Sequence, residues 1–440
     1  MKVMKFGGTS VGSAQRMKDV TELIRNRGRN IIVLSAMSGT TNSLLEICNY
    51  HYKNNREGAT ETINQLQKKY TKVIEELFDT QEYRDKATEV IDANLSFLRS
   101  INKQVFTLFD EKEVVARGEL MSTGLVDLYM KSLGINVKLI PALDFMRTDR
   151  NSEPDAEYIR QHLTAIIDKN PDADLFLTQG FICRNAYGEI DNLQRGGSDY
   201  TASLIGAAIG AEEIEIWTDI DGMHNNDPRF VESTDPVSEL HFEEAVELAY
   251  FGAKILHPTC VLPAKLANIP VRLLNTMDPS AAGTLIYNAR PNHAIKAVAA
   301  KDDIIAIKIK SGRMLLAYGF LRKVFEIFEK HRMPIDMITT SEVGVSVTVD
   351  STRNLEAVVD DLKKFGTVTV DRDMVIICVV GDLEWQNRGF EADVVNALKE
   401  IPVRMISYGG SNYNISLLIK KDDKVRALNL LSERLFKKSK

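Results

Sequence analysis

A chain of 440 residues with 44% hydrophobic and 26% charged side chains is too long for one core, and about three domains are expected. A net charge of −6 argues against nucleic acid or an anionic membrane as partner, and any anionic substrate must be attracted by local cations. Four scattered cysteines without a CxxC pair, no apolar run near the ~18 residues that span a bilayer, and a strand-like N-terminus exclude a disulfide scaffold and give a cytoplasmic expectation. The chain opens as MKVMKFGGTSVG, a short apolar strand over Val3–Phe6 carrying Lys5, then Gly7 and Gly8, then a helix from Ser13. Two readings fit this start. Side-chain-free backbone and a helix N-terminus can close on a phosphate beside Lys5, or the glycines serve only a tight βα turn. The spacing of Gly7 and Gly12 is that of a Walker A loop, but Ser13 stands where that motif requires Lys.

Strands then alternate with helices up to about residue 290, which predicts a mostly parallel sheet covered on both faces. The strands expected after the first are Ile31–Ser35, Val137–Pro141, Leu175–Gln179, Glu213–Thr218 and Val271–Asn275, with a β-hairpin turning at Tyr187–Gly188. Residues 58–115 are strand-poor and helix-periodic (Ile63, Leu66, Tyr70, Val73, Ile74, Leu77). They read as a helical insertion without assigned chemistry. Beyond residue 290 two stretches each read strand–helix–strand–strand–helix, the first running over 304–365 and closing with strand Thr367–Asp371. The second, over 374–436, lacks a final strand, and a free strand at Ala294–Ala300 is placed to supply it. One βαββαβ module would then be nested in the other. The expected domains are residues 1–292, 303–373, and 293–301 with 374–440.

Chemistry-bearing segments follow in order. SAMSGTTN (Ser35–Asn42) is a hydroxyl-rich loop at a strand's carboxyl end, where open α/β sheets bind ligands; helix capping explains it equally well. ARGELMST sets Glu119 ahead of an apolar helix. QRGGSDYTA joins Arg195 to a glycine backbone suited to bidentate carboxylate capture, with Ser198 and Asp199 read as helix caps. WTDIDGMHNNDPR ends a strand in an acidic turn, where Asp219 and Asp221 either meet ribose hydroxyls or form Asx turns. FGAKILHP carries Lys254 on an apolar segment, where it must snorkel to water or meet an anion, while His257 reads as a packed or hydrogen-bonded histidine. The seven histidines show no metal-ligand spacing.

Taken together, KFGGTSVG, SAMSGTTN, GELMST, RGGSDYTA, TDIDG…DPR and GAKILHP resemble, in content and order, the aspartate kinase family. The likeness extends over essentially the whole chain and is to its monofunctional, lysine-sensitive members. The resemblance implies an amino-acid-kinase fold followed by two ACT modules, one nested in the other. It also implies phosphorylation of L-aspartate by ATP with Mg²⁺ held mainly by the nucleotide phosphates. On this likeness Lys5, Asp199 and Lys254 are catalytic. Lys5, Phe6, Gly7, Gly8, Thr218, Asp219, His224, Arg229, Lys254 and Ile255 would contact ATP. Ser35, Thr41, Glu119, Arg195 and Ser198 would hold aspartate, with Arg195 on its α-carboxylate and Glu119 near its α-ammonium.

The segments SGRMLLAYGFL and PIDMITTSEV resemble an effector-binding ACT segment. They imply an amino-acid effector, lysine by resemblance, at Met314, Asp336, Thr340, Ser341 and Glu342. A homodimer through the ACT modules, or a dimer of dimers, is implied as well. His224-Asn225-Asn226, Asn192, Gln194, Ala317 and Tyr318 depart from the family pattern. The competing readings are a glutamate, acetylglutamate, carbamate or UMP kinase of the same fold, or a non-catalytic amino-acid sensor. Elementary chemistry agrees with the family's reaction. A side-chain carboxylate is already an ionised nucleophile at pH 7, so the difficulty is cancelling charge between two anions.

Overall fold

The computed structural model describes residues 1–101, 105–193, 196–252, 256–290, 294–312 and 318–436. It divides into two compact units, Met1–Met223 with Ile255–Asn288, and His224–Lys254 with Ala289–Lys440. The segment 224–254, contained in the 1–292 range expected of one domain, thus groups with the C-terminal part of the chain.

The first unit begins with β1 (Val3–Phe6), α1 (Ala14–Ile24), β2 (Asn30–Leu34), α2 (Thr40–Tyr52), α3 (Arg56–Leu77), α4 (Gln81–Ser100), α5 (Leu108–Ser132) and β3 (Val137–Leu139). It continues with α6 (Ala142–Phe145), α7 (Ala156–Asp168), β4 (Leu175–Gln179), β5 (Ile182–Arg184), β6 (Ile190–Asn192), α8 (Gly197–Ile209) and β7 (Ile214–Thr218). The second unit supplies β8 (Glu239–His241) and α9 (Phe242–Tyr250), and the first resumes with α10 (Pro258–Leu266), β9 (Val271–Asn275) and β10 (Thr284–Tyr287).

Its sheet runs β3-β4-β2-β1-β7-β9-β10, parallel throughout except for β10 against β9. β1 and β2 are buried along their whole length and, apart from Lys5 and Asn30, apolar, as strands covered on both faces must be. Their register pairs Phe6 with both Leu34 and Trp217, so the loops after β1, β2 and β7 emerge side by side. α3 and α4 are no peripheral attachment. Ile63, Leu66, Tyr70, Val73 and Ile74 of α3 share one hydrophobic cluster with Met4 and Phe6 of β1 and with Ile32 and Leu34 of β2.

The second unit adds β11 (Ile295–Lys310), α11 (Phe320–Lys330), β12 (Ile338–Ser341), β13 (Gly344–Val349), α12 (Leu355–Lys363) and β14 (Thr367–Gly381). α13 (Phe390–Ala397), β15 (Met405–Ser407), β16 (Asn414–Lys420) and α14 (Lys424–Leu435) complete it. These last strands form one antiparallel sheet ordered β12-β13-β11-β14-β16-β15. The early half of β11 and the late half of β14 pair with each other, and the late half of β11 pairs with the early half of β14. Each half of the sheet therefore carries its own βαββαβ path: β12-β13-β11-β14 on one side and β15-β16-β14-β11 on the other.

The strands expected separately at Ala294–Ala300 and Ile304–Ser311 are one strand. So are those expected at Thr367–Asp371 and Met374–Gly381. The polar breaks that mimic strand ends are irregularities: register shifts flank Ile304, and Asp303 (φ 61°) and Asp373 (φ 56°) take the left-handed conformation that Asp tolerates. Among the described residues no helix is long and apolar enough to cross a membrane.

Candidate active site

The carboxyl edge of β1, β2 and β7 gathers most of the residues singled out in the first unit. Lys5 sits second from last in β1 with its side chain largely buried, and its ammonium lies 2.5 Å from Asp199 Oδ1. α8 starts at Gly197 with Gly196 as its cap, so Ser198 and Asp199 lie inside its first turn instead of capping it, and the Asp199 carboxylate reaches across to Lys5. A buried ammonium needs a partner of opposite charge, and Asp199 supplies it.

Beyond Lys5 the chain turns at once. Gly7 N–H donates to the Trp217 carbonyl at 3.3 Å, and Ser38 N–H donates to the Gly8 carbonyl at 3.1 Å. A Cβ on Gly8 would lie 2.9 Å from the Ala36 carbonyl oxygen, so glycine is required for the β1 and β2 loops to touch. The ring of Phe6 is wholly buried and stacked on Trp217 at 5.8 Å, which leaves only its backbone to face a ligand. Thr218 ends β7 beside these loops, its hydroxyl donating to Asp219 Oδ1 at 3.1 Å.

Glu119 projects from the middle of α5 against the loop after β2. Ala36 N–H donates to its Oε1 at 3.2 Å, while Oε2 is buried with no hydrogen-bond partner. Burial pushes its carboxyl up to about 8, with the Ala36 hydrogen bond opposing. An unpaired carboxylate oxygen at a ligand-binding edge is suited to an ammonium ion. One turn on, Ser122 Oγ donates to the Ser35 carbonyl at 2.8 Å and locks the same loop.

Sequence reasoning did not single out Phe181. It takes a left-handed conformation (φ 67°) immediately after β4, and its N–H is held by Thr201 Oγ1 at 2.9 Å. Nothing in the residue types announces this conformation. Lys69 and Tyr70 of α3 were missed too: both reach the loop after β2.

Other expected residues are dispersed. Arg195, Lys254, Ile255 and Met314 lie outside the described residues. His224 and Arg229 belong to the second unit. There His224 Nδ1 lies 2.8 Å from Thr234 Oγ1, and Arg229 grips its neighbour Asp227 through two guanidinium nitrogens at 3.0 and 2.6 Å. His257 caps α10 through Nδ1, as a hydrogen-bonded histidine rather than a base.

Among the expected effector residues, Thr340, Ser341 and Glu342 are exposed on and beside the edge strand β12. Asp336 differs: its side chain is 2% exposed and its Oδ1 already accepts from Lys301 Nζ at 2.6 Å and Tyr250 OH at 2.7 Å. Lys301 also pairs with Asp350 at 3.1 Å and lies 4.4 Å from the Tyr250 ring centroid. The carboxylate expected to receive an effector ammonium therefore holds an ammonium from its own chain.

Comparison with known proteins identifies the assembly. The amino acid kinase family model matches residues 1–275, and an ACT domain model matches 377–435. The chain is 34% identical to aspartokinase 3, chloroplastic, of Arabidopsis thaliana, over 99% of this chain and 81% of that one. It is 31% identical to lysine-sensitive aspartokinase 3 of Escherichia coli, over 99% of both. The crystal structure of E. coli aspartokinase III with aspartate and ADP superposes with a TM-score of 0.84 at 30% identity, covering 99% of this chain and 100% of that one. The form with lysine and aspartate gives 0.82, with the same identity and coverage. With a phosphate-type glycine loop, a buried lysine–aspartate pair and a nested ACT sheet already in place, the chain belongs to the aspartokinases of the amino acid kinase family.

Proposed function

We propose that the edge formed by β1, β2, β7 and α5 is where this aspartokinase brings its two anionic substrates together. The enzyme transfers the γ-phosphoryl group of ATP to the side-chain carboxylate of L-aspartate, giving 4-phospho-L-aspartate and ADP. A carboxylate oxygen forms the new P–O bond as the bond to ADP breaks, and no proton needs to be removed. Lys5 neutralises charge on the transferring group, and the Gly7–Gly8 backbone lies against the phosphates. Asp199 holds Lys5 at its station. Glu119 takes the α-ammonium of aspartate on its unpartnered Oε2, while Ser35, Thr41, Arg195 and Ser198 line the same substrate. Lys254, Ile255, Thr218, Asp219, His224 and Arg229 are assigned to the nucleotide.

Among the described residues no group of three or more His, Cys, Asp or Glu side chains is placed to hold a metal ion. Magnesium is assigned to the nucleotide's phosphates, as part of the substrate, as the family resemblance implies. The observation that carries this reading is the Lys5–Asp199 pair at 2.5 Å on the edge where the glycine loop and Glu119 converge. An ADP-release assay over aspartate, glutamate, acetylglutamate, carbamate and UMP tests it. Turnover with aspartate alone is expected, and preference for any other acceptor overturns it.

The second unit is proposed to bind an end-product amino acid, lysine first, beside Asp336 and β12. Exposed Ile338 on that edge strand supports assembly into a homodimer, or two such dimers, through the ACT sheet. A cytoplasmic location is proposed. Sedimentation of the full chain with and without lysine tests the assembly, for which a monomer under both conditions is the contrary result.

A further inference from the structure

The loop Ser35–Asn42 is held from two sides. Its first half is fixed by Glu119, Ser122 and the Gly8 carbonyl, all close to the sheet. Its second half turns through Gly39, which has φ 78° and gives α2 an N-cap without a side chain. That turn receives its polar support from α3. Lys69 Nζ donates to the Ser38 carbonyl at 2.5 Å and lies 3.5 Å from Thr40 Oγ1, while the Tyr70 hydroxyl lies 3.1 Å from the same Thr40 oxygen.

Thr40 and Tyr70 are both 0% exposed. A buried phenol and a half-buried ammonium thus converge on one threonine hydroxyl. The Tyr70 ring packs in the core beside Ile63, Leu66, Val73 and Ile74, but its hydroxyl and the Lys69 ammonium are polar ends that are costly to bury and that packing alone does not require. Thr41, the next residue, is among those assigned to aspartate.

We propose that Lys69 and Tyr70 are positioning residues for the aspartate site. They hold the Ser38–Thr40 turn so that Thr41 and the start of α2 face the substrate carboxyl group. This rests on the reading that the loop after β2 holds aspartate. Neither residue touches the reacting atoms. Both act through the turn, and Lys69 also sets a positive charge behind a loop that receives an anion in a net-negative protein.

The experiment measures initial rates of the full chain with aspartate and ATP varied in turn, for Lys69→Met, Tyr70→Phe, the double variant and Lys69→Arg. The thermal midpoint of each is recorded. Losing these hydrogen bonds is expected to raise KM for aspartate about tenfold in the double variant, the scale of one or two such bonds. KM for ATP should stay within about twofold and Lys69→Arg should recover most of the loss, on the same scale. An aspartate KM unchanged in the double variant overturns the proposal. So does an equal loss for both substrates that tracks a lowered midpoint, since that is a merely structural role. Thr41→Val and Glu119→Gln separate the two layers. If they leave KM for aspartate unchanged, the site reading fails and the proposal with it; if they raise it while Lys69 and Tyr70 variants do not, only the proposal fails.

Discussion

Lys5 faces a charge problem that its surroundings define. Its side chain is largely buried, and its nearest anion, Asp199, is 2.5 Å away. In the proposed mechanism a lysine held this firmly needs little reorganisation as charge shifts toward the leaving group, which is where preorganised charge accelerates a reaction. Lys5→Ala is expected to lower kcat at least ~100-fold in a steady-state assay. Near-normal turnover by that variant would remove Lys5 from the mechanism.

Glu119 poses the opposite problem, since its Oε2 is buried without a hydrogen-bond partner. Burial raises its carboxyl to about 8, so at pH 7 it is mostly protonated until an ammonium arrives at Oε2. Binding the substrate's α-ammonium then releases that proton, and affinity for aspartate must improve as pH rises toward 8. KM for aspartate is expected to fall by up to about tenfold per pH unit from pH 6.5 and to level above pH 8. Glu119→Gln should be flat over this range, and a flat wild-type profile would contradict the ammonium assignment. The identity of both residues was readable from their motifs. For Asp199 the residue type alone allowed a helix cap as well as an ion pair; the family resemblance implied the catalytic role, and the contact with Lys5 at 2.5 Å agrees with it.

At the scale of elements, the informative case is β11, where one strand serves two modules and carries Lys301 at its irregular middle. In the sequence, Lys301-Asp302-Asp303 reads as a break between two apolar runs, because polar residues end strands more often than they interrupt them. The chain instead passes through, with Asp303 left-handed, and Lys301 meets Asp336 and Tyr250. The effector role expected of Asp336 then involves a displacement, since an incoming ammonium competes with one already bound at 2.6 Å. Lys301→Met removes the competitor and leaves the carboxylate. The lysine concentration for half-inhibition is expected to fall ~5-fold or more, the lower range of ordinary coupling free energies. Inhibition curves of the two proteins at fixed aspartate decide it. Coincident curves mean that the effector ammonium goes elsewhere. α3 offers a parallel lesson: its 3.6-residue apolar period announced a buried helix, but Lys69 and Tyr70 look in sequence like any surface lysine and core tyrosine.

Across the whole chain, the alternating strands and helices, the change of texture near residue 290 and the repeated module were all legible from residue periodicity. The merging of strands was not, because it depends on which backbone edges meet in space. That merging has a mechanical consequence within the second unit. Its two modules keep separate cores, one around Val324, Val347 and Val358, the other around Val379, Leu417 and Leu428. The two modules nevertheless share the backbone ladders of β11 and β14. Local opening of one module should therefore loosen the other, since neither long strand can leave half of its ladder without straining the rest. Leu428→Ala, at a fully buried position of α14, removes ~2–5 kcal/mol of packing from the second core alone. Amide hydrogen exchange of the full chain is expected to accelerate in β12 and β13 as well as in β15 and β16. If the faster exchange stays confined to β15, β16 and the late half of β14, the modules are independent. A signal could then not pass from one ACT core to the other through the shared strands.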